Sequence, residues 1–150
     1  MIHEDEFNAN EIIPNLWLGN YIASQDENFI KKYNIKIIIN SAMNYPNIFE
    51  NKKNIHYMYL PIKDRIIGAR YIDKNLSKII SLIDYGLKNN IGVLVHCKAG
   101  HTRSANIIAL YLYHIYFNDY RESVNFVRKL RPYSLKSKSR ILKYFSKKYL

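Results

Sequence analysis

Ile91-Gly92-Val93-Leu94-Val95-His96-Cys97-Lys98-Ala99-Gly100-His101-Thr102-Arg103-Ser104 is the stretch on which the architecture turns. Residues 91–96 are short, apolar and preceded by Asn89 and Asn90, so they read as a buried strand. After Arg103, the residues Ile107, Ile108, Leu110, Leu112 and Ile115 form a helical run. Strand, tight loop and helix therefore follow directly on one another. The loop carries a thiol at its strand end and, six residues later, a guanidinium at the helix start.

Working outward, residues 12–19, with Ile12, Ile13, Leu16, Trp17 and Leu18 ending in Gly19, read as a short strand and turn. Residues 21–33 read as one helix, with Ile22, Phe29 and Ile30 spaced for one apolar face. Residues 35–40 are β-branched and bounded by polar residues, which suits a buried strand, and Asn44, Pro46 and Asn47 mark a loop. Residues 55–60 alternate as a further strand and run into Pro61, Lys63, Asp64 and Arg65, a charged loop. Ile72, Leu76, Ile79, Ile80 and Ile83 recur at helical spacing across residues 71–88. Two more helices follow near residues 119–130 and 137–149, separated by Arg131 and Pro132. Strands separated by helices of this length predict an α/β fold: a three-layer sandwich whose mostly parallel central sheet is flanked by helices. Ligands in such folds sit at the carboxyl ends of strands, which is where residues 97–103 fall.

A chain of 150 residues has the usual size of one domain, and no low-complexity stretch or repeat divides it, so residues 1–150 are expected to share one core, with residues 1–10 flexible. Its apolar stretches fall far short of the roughly 20 residues a membrane span needs. The acidic, polar start lacks the basic and apolar regions of a signal peptide, so a cytoplasmic, reducing compartment is expected. Cys97 has no second cysteine for an internal disulfide, and no Cys cluster or histidine spacing suggests a metal; no cofactor is expected. Lys and Arg outnumber Asp and Glu by 23 to 12, a formal charge of +11. Such a surface either attracts anions, whether phosphoproteins, phosphoinositides, anionic membrane or nucleic acid, or serves solubility alone. The abundance of Ile, Lys, Asn and Tyr points to an A/T-rich coding sequence and says nothing of chemistry.

The loop has more to say. Seven residues from Cys97 to Arg103 can curl so that backbone N–H groups point inward, an anion cradle completed by the helix N-terminus. The same positive field lowers a thiol from about 8.5 towards the range of about 3.5–7.5, giving a thiolate at neutral pH. Gly100 permits the positive φ or close approach of a curled loop, and Arg103 offers a planar fork matched to two phosphate oxygens.

With His96 before the cysteine, Gly100 inside the loop and Arg103-Ser104 at its end, the segment resembles the His-Cys-x5-Arg-Ser/Thr signature of cysteine-dependent phosphatases, and specifically of the dual-specificity family. The resemblance runs from Asn15-Leu16-Trp17-Leu18-Gly19 through Ile37-Ile38-Ile39-Asn40 to the helix after Ser104, and in size the chain is similar to small poxviral, large-virus and atypical members. It implies Cys97 as nucleophile and Arg103 as phosphate clamp, with Lys98, Ala99, Gly100, His101 and Thr102 completing the phosphate loop. It implies further that His96 orders the loop and that Ser104 hydrogen-bonds the sulfur and eases its departure. The family takes a general acid from a loop about thirty residues upstream, and Asp64 lies thirty-three residues before Cys97 in a similar setting, Leu60-Pro61-Ile62-Lys63-Asp64. The other reading of Asp64 is a solvated loop aspartate; Asp73, inside a predicted helix, is read as structural. One departure stands out. Many members have an Arg-Pro followed four residues later by an Asn that braces the phosphate loop, and here Arg131-Pro132 leads to Leu135 and Lys136.

By resemblance the substrates are proteins carrying phosphotyrosine, phosphoserine or phosphothreonine, met by a shallow site. The alternative is a phospholipid, phosphoinositide or phosphatidylglycerophosphate, because Cys97-Lys98-Ala99-Gly100 is similar to the loop of such phosphatases and Lys98 and His101 could meet a second phosphate or simply face solvent. An RNA 5′-triphosphatase is disfavoured because Ala99 and Thr102 stand where those relatives carry His and Asn; no specific nucleic acid is expected as partner. A non-catalytic phosphate-binding module is disfavoured by the joint presence of Cys97, Arg103 and Asp64. In the last predicted helix, Ile141, Leu142, Phe145 and Tyr149 form an apolar stripe beside Lys136, Arg140, Lys143 and Lys147. Either this stripe packs on the core and leaves the basic side solvated, or the stripe, aided by Lys148, docks acidic partners or anionic membrane.

Overall fold

The computed structural model describes residues 7–52 and 54–150. In chain order its elements are β1 (Ala9–Ile13), β2 (Leu16–Gly19), α1 (Tyr21–Gln25), α2 (Glu27–Lys32), β3 (Ile35–Asn40), β4 (His56–Tyr59), α3 (Ile66–Lys88), β5 (Gly92–His96), α4 (Arg103–Ile115), α5 (Tyr120–Leu130) and α6 (Arg140–Lys148). The strands form one sheet in the order β1-β2-β5-β3-β4. All neighbours are parallel except β1 and β2, so β5 lies at the centre of a mostly parallel sheet.

Side chains on a strand alternate between faces, and the strands here sort cleanly into two cores. Leu16 and Leu18, Val93 and Val95, and Ile37 and Ile39 enter a large core with buried residues of α3, α4, α5 and α6. Trp17, Leu94, Ile35 and Ile38 enter a smaller one with Ala23, Ile30 and Phe49. Ile35 joins Ile38 rather than Ile37 because the register shifts between Ile35 and Ile37, an irregularity that reverses the alternation at Lys36. The result is three layers, α3–α6 against one face and α1–α2 against the other. Burying one such Ile or Leu side chain is worth about 1.5–3 kcal/mol, so a one-residue slip of a strand buried on both faces is strongly disfavoured.

Several elements differ from their sequence reading, each for a local reason. Residues 12–19 are not one strand but the end of β1 and all of β2, joined at Pro14-Asn15, where Asn15 takes φ 71°, a left-handed conformation Asn tolerates. Residues 21–33 form two helices because Asp26 is extended and its carboxylate accepts from the Phe29 N–H, capping a new helix instead of continuing the first. α3 begins at Ile66, five residues before the sequence boundary at residue 71, on an apolar first turn with no periodic signal. α6 begins at Arg140 rather than near residue 137, capped by Ser139. Residues 9 and 10, expected to be flexible, belong to β1; the expectation for residues 1–6 lies outside the described residues. Among the described residues no helix is long and apolar enough to cross a membrane.

Candidate active site

β5 ends at His96, α4 begins at Arg103, and the six residues between them form the loop. The end of β5 is pinned: the Ser41 hydroxyl and its amide both donate to the His96 carbonyl, at 2.8 and 2.9 Å. Cys97 follows, 2% exposed, with its Sγ 3.1 Å from Ser104 Oγ. Thr102 makes no side-chain cap on α4, and the Ser104 amide, together with that of Gly100, turns towards the sulfur instead. Burial pushes the Cys97 thiol up, but the positive charge of Arg103, the Ser104 hydroxyl and these two amides pull harder, and it lies below its ordinary value. Lowering a buried thiol against its own desolvation needs a strongly positive loop.

His96 is also buried, with Nδ1 3.2 Å from the Cys97 carbonyl. Since a carbonyl only accepts, Nδ1 carries the proton of the neutral ring. Burial pushes this histidine down to about 4, the Cys97 carbonyl opposes, and Arg103 lowers it further. His96 therefore stands as a neutral donor to the first carbonyl of the loop.

The loop's curvature depends on Gly100, which has φ 73°. A Cβ there would stand 2.6 Å from the Gly19 carbonyl oxygen and 2.9 Å from Arg131 Nη2, so both the left-handed backbone and the close approach exclude a side chain. The Lys98 carbonyl accepts from the Tyr21 N–H at 3.1 Å, tying the loop's other side to α1; the Lys98 side chain is exposed. His101 lies with its ring centroid 6.3 Å from that of Tyr133.

What braces the loop is Arg131. Fully buried, it donates from Nε to the Gly100 carbonyl at 2.8 Å and from Nη2 to the Ala99 carbonyl at 3.1 Å, while Nη1 reaches the Phe7 carbonyl at 2.7 Å and Asn10 Oδ1 at 2.6 Å. The Leu135 amide adds a bond to the His101 carbonyl at 2.7 Å, and the Leu135 carbonyl is held in turn by the Arg128 guanidinium. The sequence showed Arg131-Pro132 in place and the Asn position altered; a guanidinium and a main-chain amide do the bracing.

Arg103 is half-buried and donates from Nη1 to the Ile62 carbonyl at 3.2 Å, linking the loop to residues 61–65. α3 presses on that segment so closely that a Cβ at Gly68 would stand 2.1 Å from the Lys63 carbonyl oxygen. The Asp64 carboxylate is anchored on α6 rather than on the loop: its Oδ1 accepts from Ser139 Oγ at 3.0 Å and from the Ile141 amide at 2.9 Å. Ser139 also accepts from the Leu142 amide at 3.1 Å and from Asn106 Nδ2 at 3.4 Å, and Asn106 Nδ2 bonds the Thr102 carbonyl at 2.8 Å. A chain of polar contacts thus runs from the Thr102 carbonyl at the end of the loop through Asn106 and Ser139 to Asp64. Neither Asn106 nor Ser139 was legible as functional, since each looks like an ordinary helix residue. Asp73 pairs with Lys148 at 2.6 Å.

The geometry can bind an anion against the Gly100 and Ser104 amides and Arg103, with the Cys97 sulfur beside it. Residues 16–146 match the family described as dual specificity phosphatase, catalytic domain. The chain is 37% identical to human dual specificity protein phosphatase 9 over 112 residues, which are 73% of this chain and 29% of that protein, so it spans less than a third of that relative. Among solved structures it superposes on human DUSP28 with TM-score 0.79 at 16% identity, covering 95% of each chain. It also superposes on PTPMT1 in complex with PI(5)P, with TM-score 0.73 at 21% identity over 95% of this chain and 97% of that one.

Proposed function

The chain belongs to the dual-specificity phosphatase family, and from that premise we propose that it hydrolyses phosphotyrosine and phosphoserine or phosphothreonine in proteins through a phosphocysteine at Cys97. The observation that carries this reading is the Cys97 sulfur itself, lowered below the ordinary thiol value while buried beside Arg103, with Ser104 Oγ at 3.1 Å. The thiolate attacks phosphorus, an S–P bond forms, and the bond from phosphorus to the ester oxygen breaks. Loop amides and the Arg103 fork hold the phosphoryl oxygens, a preorganised field that needs no metal. Asp64 delivers a proton to the departing oxygen, then takes one from the water that attacks the phosphocysteine. Because Oδ1 is already an acceptor for Ser139 and Ile141, Oδ2 is the oxygen available to carry that proton. The Ser104 hydroxyl donates to the sulfur as it leaves. The thiolate works only while reduced, so the reading places activity in a reducing compartment such as the cytoplasm.

Turnover of p-nitrophenyl phosphate, abolished by Cys97→Ser with the fold intact, and trapping of the phosphoryl group on Cys97 test this. Label on any other residue would overturn it. Asp64→Ala should slow poor leaving groups about 10²-fold or more while sparing good ones, since only poor ones need the proton. A second reading, a phospholipid headgroup as substrate, draws on Lys98, whose exposed ammonium at the loop could meet a second phosphate. Side-by-side turnover of phosphopeptides and phosphoinositide vesicles separates the two.

A further inference from the structure

Ile66 and Arg70 of α3, with Arg140, Lys143, Tyr144 and Lys147 of α6, line a groove of about 670 Å³. A further cation on its wall, Lys148, is paired with Asp73 at 2.6 Å; among the described residues no carboxylate lies within ion-pair distance of Arg70, Arg140, Lys143 or Lys147. The rim is apolar as well as basic: Ile66 is 51% exposed, and Ile67 and Tyr71 beside it are 75% and 40% exposed. Clustered exposure of large apolar side chains next to unpaired cations marks a surface built to be covered. Its position is specific. Arg65 leads directly into Ile66, and Asp64 bonds Ser139 and Ile141 on either side of Arg140, so the groove opens beside the proposed general acid.

We propose that this groove docks the acidic segment flanking the phosphorylated residue of a protein substrate, an extended stretch with carboxylates for Arg70, Lys143 and Lys147 and an apolar side chain for Ile66 and Tyr144. The proposal rests on the reading of the loop as a protein phosphatase site. A peptide fits better than a membrane surface because the cations stand on two helices that wall a concavity, which a single extended chain can enter and a lipid plane can only cap. Exposed ion pairs are individually weak, each worth about 1.4- to 5-fold, so the recognition is additive and strongly screened by salt.

The test uses the full chain and an Arg70→Gln/Lys143→Gln/Lys147→Gln variant, which leaves Arg140 untouched because it sits between the two donors to Asp64. A fluorescent unphosphorylated peptide rich in Asp and Glu with one Leu should bind the wild type. Its affinity should fall about tenfold in the variant, and it should weaken steeply as the screening length drops from about 30 Å to about 8 Å with added salt. The same about tenfold loss of kcat/KM should appear on a phosphotyrosine peptide with that acidic flank and vanish with a Gln flank, while p-nitrophenyl phosphate turnover stays unchanged. An unchanged ratio between acidic and neutral flanks in wild type and variant overturns the docking proposal and leaves the Cys97 chemistry standing. Binding to phosphatidylserine vesicles that depends on the same three cations, without peptide binding, overturns it in favour of lipid. If p-nitrophenyl phosphate is not turned over, the catalytic reading fails, and the peptide titration still decides the groove.

Discussion

At Cys97 burial pushes the thiol up, and the Arg103 charge together with the hydrogen bonds from Ser104 and the Gly100 amide outweighs it. The pH at which Cys97 becomes reactive to iodoacetate should therefore lie below the about 8.5 of a free thiol. In Ser104→Ala that midpoint should move up, because one of the groups that lower it is gone; an unmoved midpoint would take Ser104 out of thiolate support. His96 runs the other way in charge but the same way in consequence. A base held at about 4 in the fold takes up its proton later than the unfolded chain does. Its contribution to stability is complete above about 6.5, declines as pH falls, and is gone below about 4, with roughly 2 kcal/mol lost by about pH 5. The ring should show a neutral, Nδ1-protonated nitrogen spectrum at pH 5; an imidazolium signal there would refute it. The residues of this loop were legible in the sequence because Cys97, Gly100, Arg103 and Ser104 are local to one another and each residue type carries its chemistry with it. Ser139 was not legible, since nothing within its own neighbourhood announces a bond to Asp64 seventy-five residues away.

Among the elements, α6 does two things at its first turn. Ser139 caps it by accepting from the Leu142 amide, and the same hydroxyl donates to Asp64. Ser139→Ala should lower stability by about 1 kcal/mol as a lost cap. It should also reduce kcat on alkyl phosphates more than on p-nitrophenyl phosphate, and Ser139→Thr should restore both; a stability loss with equal rates on both substrates would reduce Ser139 to a cap. The segment after α5 is the other control point. Arg131→Met leaves the Gly100 and Ala99 carbonyls without their donor, and should cost roughly 3 kcal/mol in urea unfolding and weaken phosphate or vanadate binding, because the loop loses its brace. β3 and β5 were read nearly to their ends because their apolar runs are nearly continuous, whereas β1 and β2 were read as one strand across the turn at Pro14-Asn15. Helix boundaries fared worse where capping chemistry outweighed periodicity: Asp26 divides the helix read across residues 21–33, and Ser139 postpones α6. The start of α3 has no side-chain cap to announce it: Arg65 is extended, and the Lys63 carbonyl lies so close to Gly68 that only glycine fits there.

Across the whole molecule, the strand that leads into the reactive loop is also the one that holds the sheet together. β5 pairs with β2 on one side and β3 on the other, and it is the last strand in the chain. Without it, the sheet is two separate two-stranded ribbons, β1 with β2 and β3 with β4, each too small to persist alone in water. A growing chain therefore cannot settle its central layer until residues 92–96 have emerged, and the pairing they complete spans most of the preceding sequence, a non-local step of the kind that sets folding rate. During refolding from urea, p-nitrophenyl phosphate turnover should return in the same kinetic phase as the sheet's circular dichroism; activity lagging well behind would mean the loop matures separately. That coincidence would make assembly and competence one event, so that a half-made chain would offer its surroundings no finished loop around Cys97.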